Sequence, residues 1–354
     1  MEGVVVDAAF WHGKRVLVTG HTGFKGSWLS LWLARVGAEV CGFSNGVPTS
    51  PSLYDDAAVG LDVEDVNGDV RDLDALRRAV RRLRPELVFH LAAQALVRES
   101  FAQPTETYAT NVLGTANVLE ACCGDVEAVV VVTSDKCYAP HADGRAHTES
   151  DALGGVDPYS SSKACAELVT AAYRSTSARG TAIASARAGN VVGGGDWATD
   201  RLLPDLMRAA LAKRPVVIRN PGSLRPWQHV LNPLEGYLLL AQRLAGDSTF
   251  GEAWNFGPDE RDVRPVAWIV ERFSELCDVP LDVVPDSSVR PPETAVLRLD
   301  STKAVDRLGW RRRWDLDEAL LRVVEWFRTY SDGGDVRRAV VDQIDAHQAV
   351  AAPA

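Results

Sequence analysis

Arg15-Val16-Leu17-Val18-Thr19-Gly20-His21-Thr22-Gly23-Phe24-Lys25-Gly26-Ser27-Trp28-Leu29-Ser30-Leu31-Trp32-Leu33 is the stretch whose reading decides the fold. Its first five residues form a short apolar run, as expected of a strand buried on both faces. Gly20, Gly23 and Gly26, spaced three apart, then lead into the helix-like GSWLSLWLARVGA. Glycines at a strand-to-helix junction permit positive φ and a close approach of backbone to a pyrophosphate. The unpaired N–H groups at the helix start then face the phosphate charge. A glycine triplet alone is weak evidence, because turns use glycine anyway. Its position after RVLVT and before a helix makes it a dinucleotide-binding turn, with Gly20, Thr22, Gly23, Phe24, Lys25 and Gly26 as cofactor contacts.

Working outward, the first 190 residues alternate apolar runs with longer amphipathic ones. Strands are expected at Glu39 to Phe43, in a short run ending at Asp69, at Leu87 to Leu91, at Ala128 to Thr133 and at Ala182 to Ala186. Helices are expected at DALRRAVRRL, around Pro104 to Cys122, and after the N-cap and N1 pair Asp157-Pro158. This order predicts an α/β fold, a doubly wound parallel sheet of the Rossmann type, over residues 1–188. Residues 189–354, richer in Pro and Trp, predict a second, smaller α/β substrate domain, with 226–250 packing back on the first. The tail after Tyr330 reads as one helix with a frayed end.

The chain has 354 residues, 46% hydrophobic and 24% charged, with a net charge of −10. At about 150 residues per domain this suggests two domains, and disorder is excluded for most of the length. The acidic balance argues against nucleic acid and anionic membranes as partners. No run of about 18 apolar residues predicts a transmembrane helix, and MEGVVVDAAF does not look like a signal peptide. Six cysteines without a CxxC pair read as thiols of a reducing compartment, hence a cytoplasmic protein. Seven scattered histidines, with no HxxH or HxxxH, predict no metal site.

The second strand ends Gly42-Phe43-Ser44-Asn45, without the acid that usually grips an adenosine ribose. No arginine stands nearby for a 2′-phosphate either, which favours NAD over NADP. Asp69 and Val70 are candidates to flank the adenine, although Asp69 also suits a plain helix-preceding cap. Leu91, Ala92 and Ala93, past the fourth strand, complete the expected cofactor contacts.

The fifth strand ends in Thr133-Ser134-Asp135-Lys136, where an open parallel sheet lines its ligand crevice. Tyr159 and Lys163, four apart, share one helix face. A lysine beside a tyrosine stabilises the phenolate. Lowering a phenol from about 10 toward 7 takes roughly 4 kcal/mol. The product is a general base for an alcohol being oxidised.

With these residues the sequence resembles the extended short-chain dehydrogenase/reductase superfamily, whose members commonly act on nucleotide sugars. The resemblance implies Ser134, Tyr159 and Lys163 as the oxidising triad. It narrows with GHTGFKGSWLSLWL, HLAAQALVRES, TSDKCY, GNVVGGGDW and RNPGSLRPWQHVLNPLEGYLLLAQ, which are similar to the CDP-glucose 4,6-dehydratase branch from about residue 9 to about residue 346. That branch implies oxidation at C4 of the sugar, loss of water across C5 and C6, and return of the hydride to C6. Asp135 is assigned as the C6 acid and Lys136 as the C5 base, the alternative being Lys136 as a cation that binds substrate or steadies an enolate.

On the substrate side the resemblance implies Gln94, Arg98, Asn190, Arg219, Arg225, His229 and Glu293, with Arg225 and Arg219 suited to a diphosphate. Glu293 lies in Arg290-Pro291-Pro292-Glu293-Thr294, where proline stands in the place the family pattern gives to histidine. The rival readings are an epimerase, a decarboxylase or a dehydratase on a UDP, dTDP or GDP sugar, and a non-catalytic sensor. The helices near Pro104 to Cys122 and from Pro158 to Thr176 imply, as in the superfamily, a homodimer or a tetramer. Asn111 is expected to hold helix to sheet rather than touch ligand, and Trp227 is either packing or contact.

Overall fold

A computed structural model describes residues 5–141, 143–176, 180–218, 220–278, 281, 283–285 and 297–350. The apolar runs of the first half are strands: β1 (Arg15–Thr19), β2 (Glu39–Ser44), β3 (Val63–Asn67), β4 (Leu87–His90), β5 (Ala128–Val132) and β6 (Ala182–Ala188). Shorter strands follow, β7 (Asn190–Val192), β8 (Val216–Ile218), β9 (Leu224–His229), β10 (Ala253–Phe256), β11 (Val263–Pro265) and β12 (Val283–Pro285). Seven of them form one parallel sheet in the order β10-β6-β5-β4-β1-β2-β3. The order reverses between β1 and β4, and a doubly wound sheet binds its ligand at such a switch point.

The seventh strand, β10, was not expected. Its four residues AWNF lie between Gly251 and Gly257, too short a run to show a period. β3 ends at Asn67, two residues before the expected Asp69, where the Gly68 N–H donates to the Ser44 carbonyl at 2.9 Å and turns the chain. β7, β9 and β11 make a separate small sheet, and β8 pairs with β12.

Helix α1 (Phe24–Arg35) follows β1, and α2 (Leu73–Leu83) follows β3 behind an Asp72 cap. The helix after β4 is α3 (Pro104–Tyr108), a π-turn over Ala109–Leu113, and α4 (Gly114–Cys122). After β5 comes α5 (Pro158–Thr176), with the bounds expected from its Asp-Pro start. Past β9 lie α6 (Leu231–Gly246), α7 (Leu316–Ser331) and α8 (Val336–Ala349).

The tail is not frayed over the described residues. α8 lies on α1, with the His347 ring 5.5 Å from Trp32, and this cover explains why α1 is apolar nearly all round. α6 packs on β5 and β6, as expected of a segment returning to the first half. One hydrophobic core therefore runs from Val6 to Ile344 through both halves.

Candidate active site

The glycine turn is a closed cradle. Gly20 has φ of 75°, and a Cβ there would lie 2.7 Å from the Ala92 nitrogen. A Cβ on Gly26, in the first turn of α1, would overlap the Gly20 carbonyl oxygen. Gly23 caps α1 without a side-chain hydrogen bond, which leaves the first-turn N–H groups for an anion. Thr22 Oγ1 donates to the Gly46 carbonyl at 2.7 Å, and the Leu91 and Ala92 nitrogens donate to Thr19 at 3.1 and 3.3 Å. The turn is thereby tied to the ends of β1, β2 and β4. Phe24 packs beside Gly193, and Ala93 follows Ala92 along the same edge. This shape fits the pyrophosphate of a dinucleotide.

At the exit of β2, Asn45 Nδ2 donates to Asp69 Oδ2 at 3.2 Å. Arg71 holds the other side of that carboxylate, with Nε 2.9 Å from Oδ1, and brings Asp69 down to about 2. An arginine thus stands near the strand end after all, but Asp69 and Glu106 both pair with it. Val70 is buried against Gly114.

The catalytic candidates converge at the carboxyl end of β5. Ser134 Oγ donates to Asp135 Oδ1 at 2.9 Å, while Asp135 Oδ2 is buried without a hydrogen-bond partner. Lys136, more exposed, places Nζ 4.0 Å from Asp135 Oδ1. Burial pushes the Tyr159 phenol up to about 12, with the Ser134 hydroxyl and the Arg201 charge opposing it and the Asp135 charge adding to it. Lys163 is pulled down to about 8 by burial, against the opposing charge of Glu167, and its Nζ lies 3.3 Å from the Val132 carbonyl. Burial thus favours the protonated phenol of Tyr159 in this structure.

Other expected contacts are placed differently. His229 is fully buried between Trp28 and Trp314, at ring separations of 5.8 and 4.8 Å, and Nδ1 accepts from the Leu231 nitrogen. His229, expected on the substrate side, thus packs among tryptophans at the end of β9. Gln94 spends its amide on its own loop, donating to Leu96 O and Thr107 Oγ1 and accepting from Leu96 N. Arg98 pairs with Asp200 at 2.7 Å. Asn190 is half-buried on β7, next to Trp227 in the small sheet, and Trp227 is buried with Nε1 3.3 Å from the Arg264 carbonyl. Arg225 lies on β9 opposite Arg264. Arg219 and Glu293 fall outside the described residues.

Residues 16–257 match the family described as the NAD dependent epimerase/dehydratase family. The chain belongs to this family. It is 47% identical to a CDP-glucose 4,6-dehydratase of Salmonella typhimurium, over 97% of this chain and 99% of that protein. Among solved structures, a UDP-glucose 4-epimerase of Thermus thermophilus in complex with NAD is 27% identical, with a TM-score of 0.76 over 89% of this chain and 99% of the other. A dTDP-glucose 4,6-dehydratase of Streptomyces venezuelae with NAD bound is 25% identical, with a TM-score of 0.77 over 91% and 99%. Family membership makes NAD the cofactor.

Near Tyr159 stand further residues that the sequence reading did not bring to the catalytic end. Lys25, expected only as a cofactor contact, reaches from α1 to within 3.5 Å of the Tyr237 hydroxyl. Burial and the Arg201 and Lys163 charges lower it to about 7, against Asp135 and Asp196. Arg201 pairs with Asp196 at 3.0 Å and faces Tyr159. Asp196 belongs to GNVVGGGDW, in which only Asn190 had been given a role, and Tyr237 to the helix after RPWQHV. Only the fold places them beside Tyr159.

Proposed function

We propose that this chain is an NAD-dependent lyase, a nucleotide-sugar 4,6-dehydratase that converts CDP-glucose to CDP-4-keto-6-deoxyglucose. The observation that carries the reading is the Asp135-Lys136 pair at the end of β5, beside Ser134 and Tyr159, in a chain 47% identical over 97% of its length to a CDP-glucose 4,6-dehydratase. An epimerase of the same family needs the tyrosine and lysine but not a pair dividing an elimination.

NAD, when bound, supplies a hydride acceptor at C4 and the hydride donor at C6. Tyr159 takes the proton of the sugar 4-hydroxyl, and the Lys163 charge on the same helix face favours the phenolate. The resulting ketone acidifies the C5 hydrogen. Lys136, in its neutral form, removes that proton, and Asp135 delivers a proton to the C6 oxygen as water leaves. Asp135 Oδ2 has no hydrogen-bond partner among the described residues, and the lysine is the more exposed of the two. Arg225, with Arg219, is the diphosphate partner, within a nucleotide-sugar part formed from 189–354 and a cofactor part formed from 1–188.

Incubation with CDP-, UDP-, dTDP- and GDP-glucose, followed by detection of the keto-deoxy product, tests the reading. Turnover of CDP-glucose alone supports it, and failure to lose water from any of the four sinks it. The division of roles is tested by solvent deuterium wash-in at C5: Lys136→Ala should abolish exchange, whereas Asp135→Asn should retain exchange without water loss.

Leu113 and Leu168 are more than half exposed, on the π-turn after α3 and on α5. With Phe101 and Tyr108 they support a homodimer through these helices, or a tetramer built from it, which light scattering would count. Six cysteines without a CxxC pair support a cytoplasmic location. No helix of the described residues is long and apolar enough to cross a membrane.

A further inference from the structure

The loop that leaves Lys136 carries a second group of chemistry-bearing side chains, which the dehydration does not use. It is closed on itself: the Ala139 nitrogen donates to the Ala152 carbonyl at 2.9 Å, and the Gly154 nitrogen to the Cys137 carbonyl at 2.8 Å. Inside it three rings stack, Tyr138 on His147 at 4.6 Å and His147 on His141 at 4.1 Å. The Asp151 carboxylate lies at their edge. Its Oδ2 is 3.1 Å from His141 Nε2 and 3.8 Å from His147 Nδ1.

His147 makes this more than a surface cluster. Its side chain is 2% exposed, and Nδ1 has no hydrogen-bond partner. Leaving such a nitrogen unsatisfied is unfavourable. The residue cannot readily turn away, because its N–H donates to the Arg298 carbonyl at 2.8 Å and its own carbonyl accepts from Asp300 N and Asn255 Nδ2 at 2.8 and 2.9 Å.

We propose that His141, His147 and Asp151 form a binding site for one divalent transition-metal ion, zinc or an ion of similar preference. The three ligand atoms lie within 4.8 Å of one another. Two imidazole nitrogens and one carboxylate oxygen suit zinc, cobalt or nickel rather than calcium or magnesium, which demand oxygen ligands. With bonds of about 2.0–2.1 Å, a tetrahedral ion sets its ligands roughly 3.3 Å apart, so binding turns the partly exposed His141 ring out of its stack on His147 and brings its nitrogen toward His147 Nδ1 and the Asp151 carboxylate. Arg145 holds Asp151 Oδ1 at 2.7 Å and Oδ2 at 2.9 Å, and the Thr148 nitrogen donates to Oδ2 at 2.8 Å. Arg145 is half exposed; when it yields Oδ2 to the ion and keeps Oδ1, it orients the ligand carboxylate from behind.

The spacing H-x5-H-x3-D hides this site from the short histidine patterns. Its place matters, because the loop joins Asp135 and Lys136 to the helix of Tyr159. An ion there staples the two parts of the catalytic set together without touching substrate.

The test is a titration of the full chain, stripped with a chelator, with Co2+ followed by visible d–d absorbance and displacement by Zn2+. One ion per chain is expected, with Zn2+ raising the thermal midpoint. His141→Gln, at a partly exposed position, should weaken binding at least about tenfold, while its metal-free thermal midpoint stays at the wild-type value. Asp151→Asn is the second variant, read by the same absorbance. Absence of d–d absorbance in the wild type overturns the proposal, as does unchanged binding in His141→Gln. A near-ultraviolet thiolate band, which places the ion on a cysteine, overturns it as well.

Discussion

Asn111 Nδ2 donates to the Ser162 hydroxyl at 2.8 Å. Ser162 in turn donates to the Tyr159 carbonyl at 2.7 Å, and the same Asn111 nitrogen reaches the Gln94 carbonyl at 3.0 Å. The π-turn after α3 is thus fastened to the loop after β4 and to the first turn of the catalytic helix. The sequence expectation that Asn111 holds structure rather than ligand agrees with this geometry. Asn111→Ala strands buried polar groups and should cost about 1–3 kcal/mol of stability. Because Tyr159 is then less well held, kcat should fall by about tenfold with KM nearly constant. Urea unfolding and steady-state kinetics read the two effects separately; unchanged kcat would show that the clamp does not position Tyr159.

Gly26→Ala should abolish NAD binding, because its Cβ overlaps the Gly20 carbonyl oxygen and opens the cradle. Gly246→Ala, whose Cβ meets nothing within 4 Å, is the control and should bind NAD as the wild type does. Fluorescence titration with the cofactor compares them; equal affinity in Gly26→Ala would remove the glycine turn from the site.

Tyr159→Phe keeps the buried ring and removes the proton acceptor. Turnover should drop by about 10²–10⁴-fold, while NAD affinity stays within about twofold of the wild type. A variant that still oxidises the sugar at near-normal rate would hand the base role to another group.

Stability should fall steeply as pH drops below neutrality. Burial lowers His90 and His229 from 6.5 to about 3, and His347 lies well below 6.5. Between pH 6.5 and about 3 the unfolded chain binds protons that the folded rings refuse. The stabilisation is therefore present above pH 6.5 and lost on acidification, by about 1.4 kcal/mol per pH unit for each histidine. Urea midpoints from pH 7.5 to 5 measure the slope, and His229→Phe should flatten it by about one proton. An unchanged slope would mean that this ring titrates in the folded state.

The sequence alone carried the local half of the protein. RVLVT followed by three spaced glycines determined a buried strand, a phosphate-binding turn and a helix, because each rests on neighbours within a few residues. The Asp157-Pro158 start set the catalytic helix, and the four-residue spacing put Tyr159 and Lys163 on one face. Tertiary structure decided whatever depends on distant partners. AWNF became the seventh strand only because β6 offered it an edge. GSWLSLWL needed two buried faces because α8, more than three hundred residues on, covers it. His229 became buried because Trp28 and Trp314, from distant segments, close over it. Lys25, the loop of Asp196 and Arg201, and Tyr237 met near Tyr159 from three separate segments. Local hydrogen bonding and backbone freedom are written residue by residue, whereas burial belongs to whichever surfaces the whole chain brings together.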